Sequence, residues 1–131
     1  TEIEGYLNIS VIILELVNKS VEYLGNTVSF NIDVQGADLS LEEMQVSWNP
    51  LAGETLNKIE IKSPSTADPA IIVFNNSIDP VSSGELIDVI DSTLSTGISN
   101  VKMYFSGNIS GKTTLDVTFN PNSGDYTVNL E

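Results

Sequence analysis

The sequence predicts an all-β domain: an antiparallel two-sheet sandwich, jelly-roll or immunoglobulin-like, of about eight to nine strands. Three observations carry this expectation. Apolar and polar residues alternate along most of the chain, as half-buried strands require. Turn-forming clusters interrupt the alternation at short intervals: Leu24-Gly25-Asn26, Gln35-Gly36-Ala37-Asp38, Asn49-Pro50-Leu51-Ala52-Gly53, Ser106 to Gly111 and Asn120 to Asp125. Finally, 131 residues with 40% hydrophobic side chains suffice for a single domain, 1–131, around one core.

The first element is a long amphipathic strand. Ile3, Gly5, Leu7, Ile9, Val11 and Ile13 hold odd positions, and Glu2, Glu4, Tyr6, Asn8 and Ser10 hold even ones. At roughly 3.3 Å per residue the strand spans about 36 Å, well beyond the usual length of about five or six residues. Two readings fit. Either the strand bends from one sheet of its own sandwich to the other, or residues 1–13 leave the body and add to the sheet of a neighbouring copy. In the second case main-chain hydrogen bonds give affinity and alternate apolar side chains fill pockets. Ile3, Leu7, Ile9, Val11 and Ile13 are then the interface residues.

Further along, Val28, Phe30, Ile32 and Val34 alternate with Ser29, Asn31 and Asp33. The same pattern recurs at Met44, Val46 and Trp48, and later at Tyr126, Val128 and Leu130. The expected core contains Phe30, Ile32, Val46, Trp48, Ile59, Ile61, Val101, Met103, Phe105, Leu115, Val117 and Phe119. Ser63 to Pro69 reads as a loop, and Ala70 to Phe74 as a strand buried on both faces. Ser82 to Leu94 supports two assignments. Ser82 with Glu85 forms a capping-box pattern, and Leu86, Val89, Ile90 and Leu94 follow at helical spacing with Gly97 beyond, which fits a short helix over 83–94. Ile87 and Val89 alternating with Asp88 and Ile90 fit an edge strand equally well.

Composition narrows the function. Eighteen acidic residues against five Lys give a formal charge of −13, which repels phosphate backbones and anionic lipid headgroups and excludes nucleic acid as a partner. The chain has no His, Cys or Arg, so it lacks a thiolate nucleophile, an imidazole base, a Cys/His zinc site and a guanidinium fork. The best enzymatic arrangement left is a carboxylate pair of the glycosidase kind. A sandwich this small, with one Trp and four Tyr, offers little cleft and few sugar platforms, so the expectation is a protein without catalytic residues. Tyr6, Tyr23, Tyr104 and Trp48 could form a glycan-binding face, although Trp48 shares its register with Met44 and Val46 and belongs with the core.

No unbroken apolar run, Val11 to Leu14 included, approaches the ~20 residues a spanning helix needs, so no membrane span is expected. The chain begins at Thr1 rather than Met, as expected of a secreted chain whose leader has been removed or of an excised domain. An extracellular or cell-surface location follows as the expectation. Cysteine usage is neutral on this point, since a chain without thiols suits any redox compartment.

Val46-Ser47-Trp48-Asn49-Pro50, Leu56-Asn57-Lys58-Ile59, and Met103 to Gly111 followed by a closing hairpin resemble the immunoglobulin-like domains of prokaryotic surface and pilin-like proteins. With the long first strand, the chain is similar in kind to subunits of archaeal donor-strand filaments and of cannulae, the extracellular tubes of hyperthermophilic archaea. The resemblance spans most of the chain at the level of pattern, without a diagnostic motif. It implies a self-assembling homopolymer, and in the cannula-type family calcium is implied in assembly.

The residues themselves offer Asp38 with Glu42 and Glu43, and Asp88 with Asp91, as carboxylates for Ca2+, which takes about six to eight oxygen ligands. A solvated acidic surface is the preferred reading of any single one of them, and contact between identical acidic copies is what favours a cation. No Asp-x-Asn-x-Asn-Gly loop occurs, and Asn120 to Asp125 reads better as a hairpin turn. Asn8, Asn18, Asn75 and Asn108 begin N-glycosylation sequons, a number only slightly above chance for a chain this rich in Asn, Ser and Thr. The expected function is a structural subunit of an extracellular filament or tube, assembled by strand donation between copies, with Ca2+ at the contacts. The alternative is a monomeric adhesive or cell-wall binding module that recognises surface glycans.

Overall fold

A computed structural model describes residues 11–50, 52–64, 69–76, 80–111, 114–124 and 126–130. Among these lie ten strands and no helix: β1 (Ile13–Leu16), β2 (Glu22–Leu24), β3 (Thr27–Gln35), β4 (Leu39–Asn49), β5 (Leu56–Lys62), β6 (Ile71–Asn75), β7 (Leu86–Leu94), β8 (Gly97–Phe105), β9 (Thr114–Phe119) and β10 (Tyr126–Asn129). The strands form two antiparallel sheets. One has the order β1-β3-β8-β5-β6, with β2 also on β3, and the other has the order β10-β9-β4-β7. The fold is the expected sandwich, and the apolar faces of both sheets meet in one core.

Period-two patterning generates these strands directly. In β3, Val28, Phe30, Ile32 and Val34 are buried and their neighbours partly exposed. On β8, Val101, Met103 and Phe105 face the same interior. Every residue of the expected core is buried, Trp48 included, its ring meeting Phe105 edge-on at 5.1 Å between centroids. Burial of a Leu, Ile, Val or Phe side chain contributes roughly 1.5–3 kcal/mol, so this facing set dominates the stability of the domain.

Ten strands replace the expected eight or nine because one sheet edge is broken. β1 covers β3 from Ile13↔Gln35 to Leu16↔Ile32, and β2 covers the same side from Glu22↔Ser29 to Leu24↔Thr27. Between them the chain turns through Lys19 at φ 63°, held by the Ser20 hydroxyl, which donates to the Val17 carbonyl at 2.7 Å.

The helix expected over 83–94 is strand β7. Ser82 and Glu85 do pair as a capping box would, the Ser82 N–H donating to Glu85 Oε1 at 2.8 Å, but Gly84 between them has φ 87° and the motif closes a turn instead of opening a helix. Beyond it, Ile87 and Val89 point into the core, while Leu86 and Ile90 face solvent. β-branched Ile87, Val89, Ile90 and Thr93 favour that extended arrangement. β6 also departs from expectation. As the last strand of its sheet it leaves Ile71 and Ile72 at 52% and 40% exposure, so it is not buried on both faces.

Candidate functional site

Four of the five carboxylates expected to meet a cation come together on one strand pair. Leu41 of β4 pairs with Ser92 of β7 and Glu43 pairs with Asp88, so the ladder shifts register between Leu41 and Glu43. That irregularity reverses the inward–outward phase: Leu41 and Met44 are both buried, and Glu42 and Glu43 between them both lie off the core. A bulge re-aims side chains in this way. The result is a cleft of about 290 Å³ lined by Glu42, Glu43, Asp88, Asp91, Asn120 and Ser123. Asp38 lies elsewhere, its Oδ1 accepting the Thr96 N–H at 2.9 Å.

Asn120 builds this cleft. It sits at φ 51°, a left-handed conformation that Asn tolerates, and is 4% exposed. Its Oδ1 accepts the N–H groups of Glu42 and Glu43 at 2.9 and 3.2 Å, and its Nδ2 donates to the Ser40 carbonyl at 2.7 Å. Its own N–H donates to the Glu43 carbonyl at 2.8 Å. One side-chain amide thereby satisfies three backbone groups beside the bulge. Sequence reasoning found the turn at Asn120 but missed the clamp, for which an Asn ahead of Pro121 was the available signal. Glu43 is further tied to the turn by Asn122 Nδ2 at 3.1 Å. Among the described residues, no group of three or more carboxylates lies close enough together to hold a metal ion.

The interface residues Ile3, Leu7 and Ile9 lie outside the described residues. Val11 is 68% exposed and Ile13 is 42% exposed, and Ile13 pairs with Gln35 of its own β3. Leu14 is buried, and Ile12 and Leu16 pack against the core. The even positions therefore face inward here and the odd ones outward. Where the chain enters β1 it presses on Gly36, which has φ 94° and on which a Cβ would overlap the Val11 carbonyl oxygen.

The outer face of β5 and β8 carries a basic group the sequence reading passed over. Lys58, Glu60 and Lys62 alternate with buried Ile59 and Ile61, a spacing legible as one strand face. Register sets Lys58 opposite Tyr104, Glu60 opposite Lys102 and Lys62 opposite Asn100. Lys58 Nζ lies 2.9 Å from Glu60 Oε1, and Lys58 and Lys102 stand 4.8 and 5.2 Å from the centre of the Tyr104 ring. The Lys58 hydrogen bond holds the Glu60 carboxyl below its ordinary value, and the same bond raises Lys58.

Of the sequon asparagines, Asn8 lies outside the described residues, whereas Asn18, Asn75 and Asn108 are exposed. Asn108 Oδ1 accepts the Ser110 N–H at 2.9 Å, and the Ser20 hydroxyl is held by Val17 and Asn31. Tyr23 and Tyr104 are partly buried on separate strands. Among the described residues, no helix is long and apolar enough to cross a membrane. In comparison with known proteins, the chain matches no family model and no curated relative.

Proposed function

We propose that this domain is a structural subunit of an extracellular filament or tube, in which the segment before β1 adds as a strand to the sheet of a neighbouring copy. The observation that supports this reading is the parity at the start of β1. Val11 and Ile13 turn their apolar side chains to solvent, while Leu14 fills the domain's own core. Ile3, Leu7 and Ile9 share the odd parity of that outward face in the sequence. A strand with this face outward gains roughly 1.5–3 kcal/mol for each Leu, Ile or Val that a partner buries.

A charge of −13 opposes contact between identical copies closer than the screening length of about 8 Å at physiological salt. Divalent cations relieve that repulsion where carboxylates meet. Glu42, Glu43, Asp88 and Asp91 line one surface cleft and Asp38 is exposed nearby in sequence, which supports carboxylates meeting a cation between copies. Ca2+, a hard cation that takes about six to eight oxygen ligands in flexible geometry, suits such a donor set.

Electron microscopy of the purified chain in millimolar calcium, in chelator, and in sodium chloride of matched ionic strength tests the proposal. Polymers that form in calcium, dissolve in chelator and do not return with sodium chloride are the expected result. Equal assembly in chelator and calcium removes the cation from the mechanism. A monomer under all three conditions replaces the subunit reading with that of a surface-binding module.

A further inference from the structure

We infer that the acceptor for the leading segment is the outer edge of β6 on a second copy, where the apolar side chains enter the cleft between β6 and β7. This inference rests on the strand-donation reading above. Among the described residues the two sheets end in four edges, formed by β1 with β2, β6, β7 and β10. Three are closed toward the core. On β10, Val128 is 4% exposed with Leu130 beyond it at 0%; on β7, Ile87, Val89 and Leu94 are at most 3% exposed; on β1, Leu14 is buried. β6 is open. Ile71 pairs with Ile61 and so points to the core side of the sheet, yet Ile61 is 5% exposed and Ile71 is 52% exposed. Ile71 and Pro69 line a cleft of about 510 Å³ shared with Asp91, Ser92 and Thr93 of β7. A strand added outside β6 would lay alternate side chains across this opening.

The occupant follows from parity, charge and reach. With Ile3, Leu7 and Ile9 turned into the cleft, Glu2 and Glu4 fall on the opposite, outer face of the extended sheet. That is the face where β5 and β8 carry Lys58, Lys62 and Lys102, three of the five lysines of a strongly acidic chain. β1 and β6 are the opposite edges of one sheet, four strand spacings of about 4.8 Å apart, a separation that favours the β6 of a second copy over a chain's own. A donor at one edge and an acceptor at the other make a head-to-tail contact, which propagates as an open filament.

Cysteine cross-linking tests the edge directly, because the chain has no cysteine. Full-length Leu7→Cys or Ile9→Cys protein is mixed with full-length Ile71→Cys protein, assembled and then oxidised, with Thr127→Cys on β10 as the comparison edge. The expected result is a mixed dimer between one of the two donor variants and Ile71→Cys at least about tenfold more abundant than with Thr127→Cys, since disulfides need Cα atoms within about 7 Å. Polymers that cross-link through Thr127→Cys and not through Ile71→Cys overturn the β6 assignment and leave strand donation standing. Absence of any polymer in the wild-type chain overturns both. As a second readout, Ile71→Lys alters a half-exposed site and is expected to keep the thermal melting of the monomer while cutting assembly at least about tenfold; unimpaired assembly by this folded variant overturns the assignment.

Discussion

Asn120 is the residue on which the acidic bulge depends most. Substituting Ala removes the acceptor for two backbone N–H groups and the donor for the Ser40 carbonyl, and it leaves a β-carbon at φ 51°. Unpaired buried backbone groups cost about 1–3 kcal/mol each, with solvent entry recovering part, so Asn120→Ala is expected to lower unfolding stability by about 2–4 kcal/mol in urea titration. Tyr23 makes a different prediction. Its hydroxyl donates to the Leu130 carbonyl at 3.2 Å, and burial pushes its pKa up. Because the folded value lies above the unfolded one, the tyrosine's contribution is fully present below its ordinary value of about 10 and is lost as pH rises through the folded value. Thermal melting across the alkaline range should therefore fall more steeply for the wild type than for Tyr23→Phe.

Among the elements, the most legible were those whose two faces differ. β3 and β9 alternate strictly between core and surface, as do β8 from Ser99 and β4 from Met44 onward, and the sequence pattern names Val28 to Val34, Met44 to Trp48, Val101 to Phe105 and Leu115 to Phe119 as their buried apolar residues. β7 was ambiguous because Leu86, Val89, Ile90 and Leu94 satisfy a helical spacing even though Ile87 and Val89 satisfy a strand. Pairing with β4 decides between them, and pairing partners are not local information. The bulge was invisible for the same reason: Glu42 and Glu43 look like adjacent surface residues until the register shift places Asp88 and Asp91 beside them. Ile71 shows a third limit, since an apolar side chain in a strand does not reveal whether another strand lies outside it. At this scale β1 and the segment before it separate into two roles. Leu14→Ala is expected to cost the monomer about 2–3 kcal/mol, as a buried Leu truncation does. Ile9→Asp is expected to leave monomer stability unchanged and to suppress assembly, because the charge would be buried only in the contact between copies. Chemical denaturation of the monomer and light scattering of the assembled protein check the two halves of that contrast.

For the whole molecule, the central claim is that folding and assembly reside in different stretches of one chain. Folding belongs to the core shared by the two sheets, to which β1 contributes Leu14. Under the proposed function, assembly belongs to the residues ahead of β1, where Ile3, Leu7 and Ile9 share in sequence the odd parity of exposed Val11 and Ile13. The cut that separates them falls before Val11, because a deletion reaching Ile13 would also remove a residue paired with β3. Size-exclusion chromatography with light scattering, run beside thermal melting on the full-length chain and on a chain lacking residues 1–10, tests the separation most directly. The account predicts that the shortened chain melts as the full-length monomer does and remains monomeric in calcium where the full-length chain polymerises. A shortened chain that polymerises normally, or that unfolds beside a full-length chain monomeric under every condition, would contradict it.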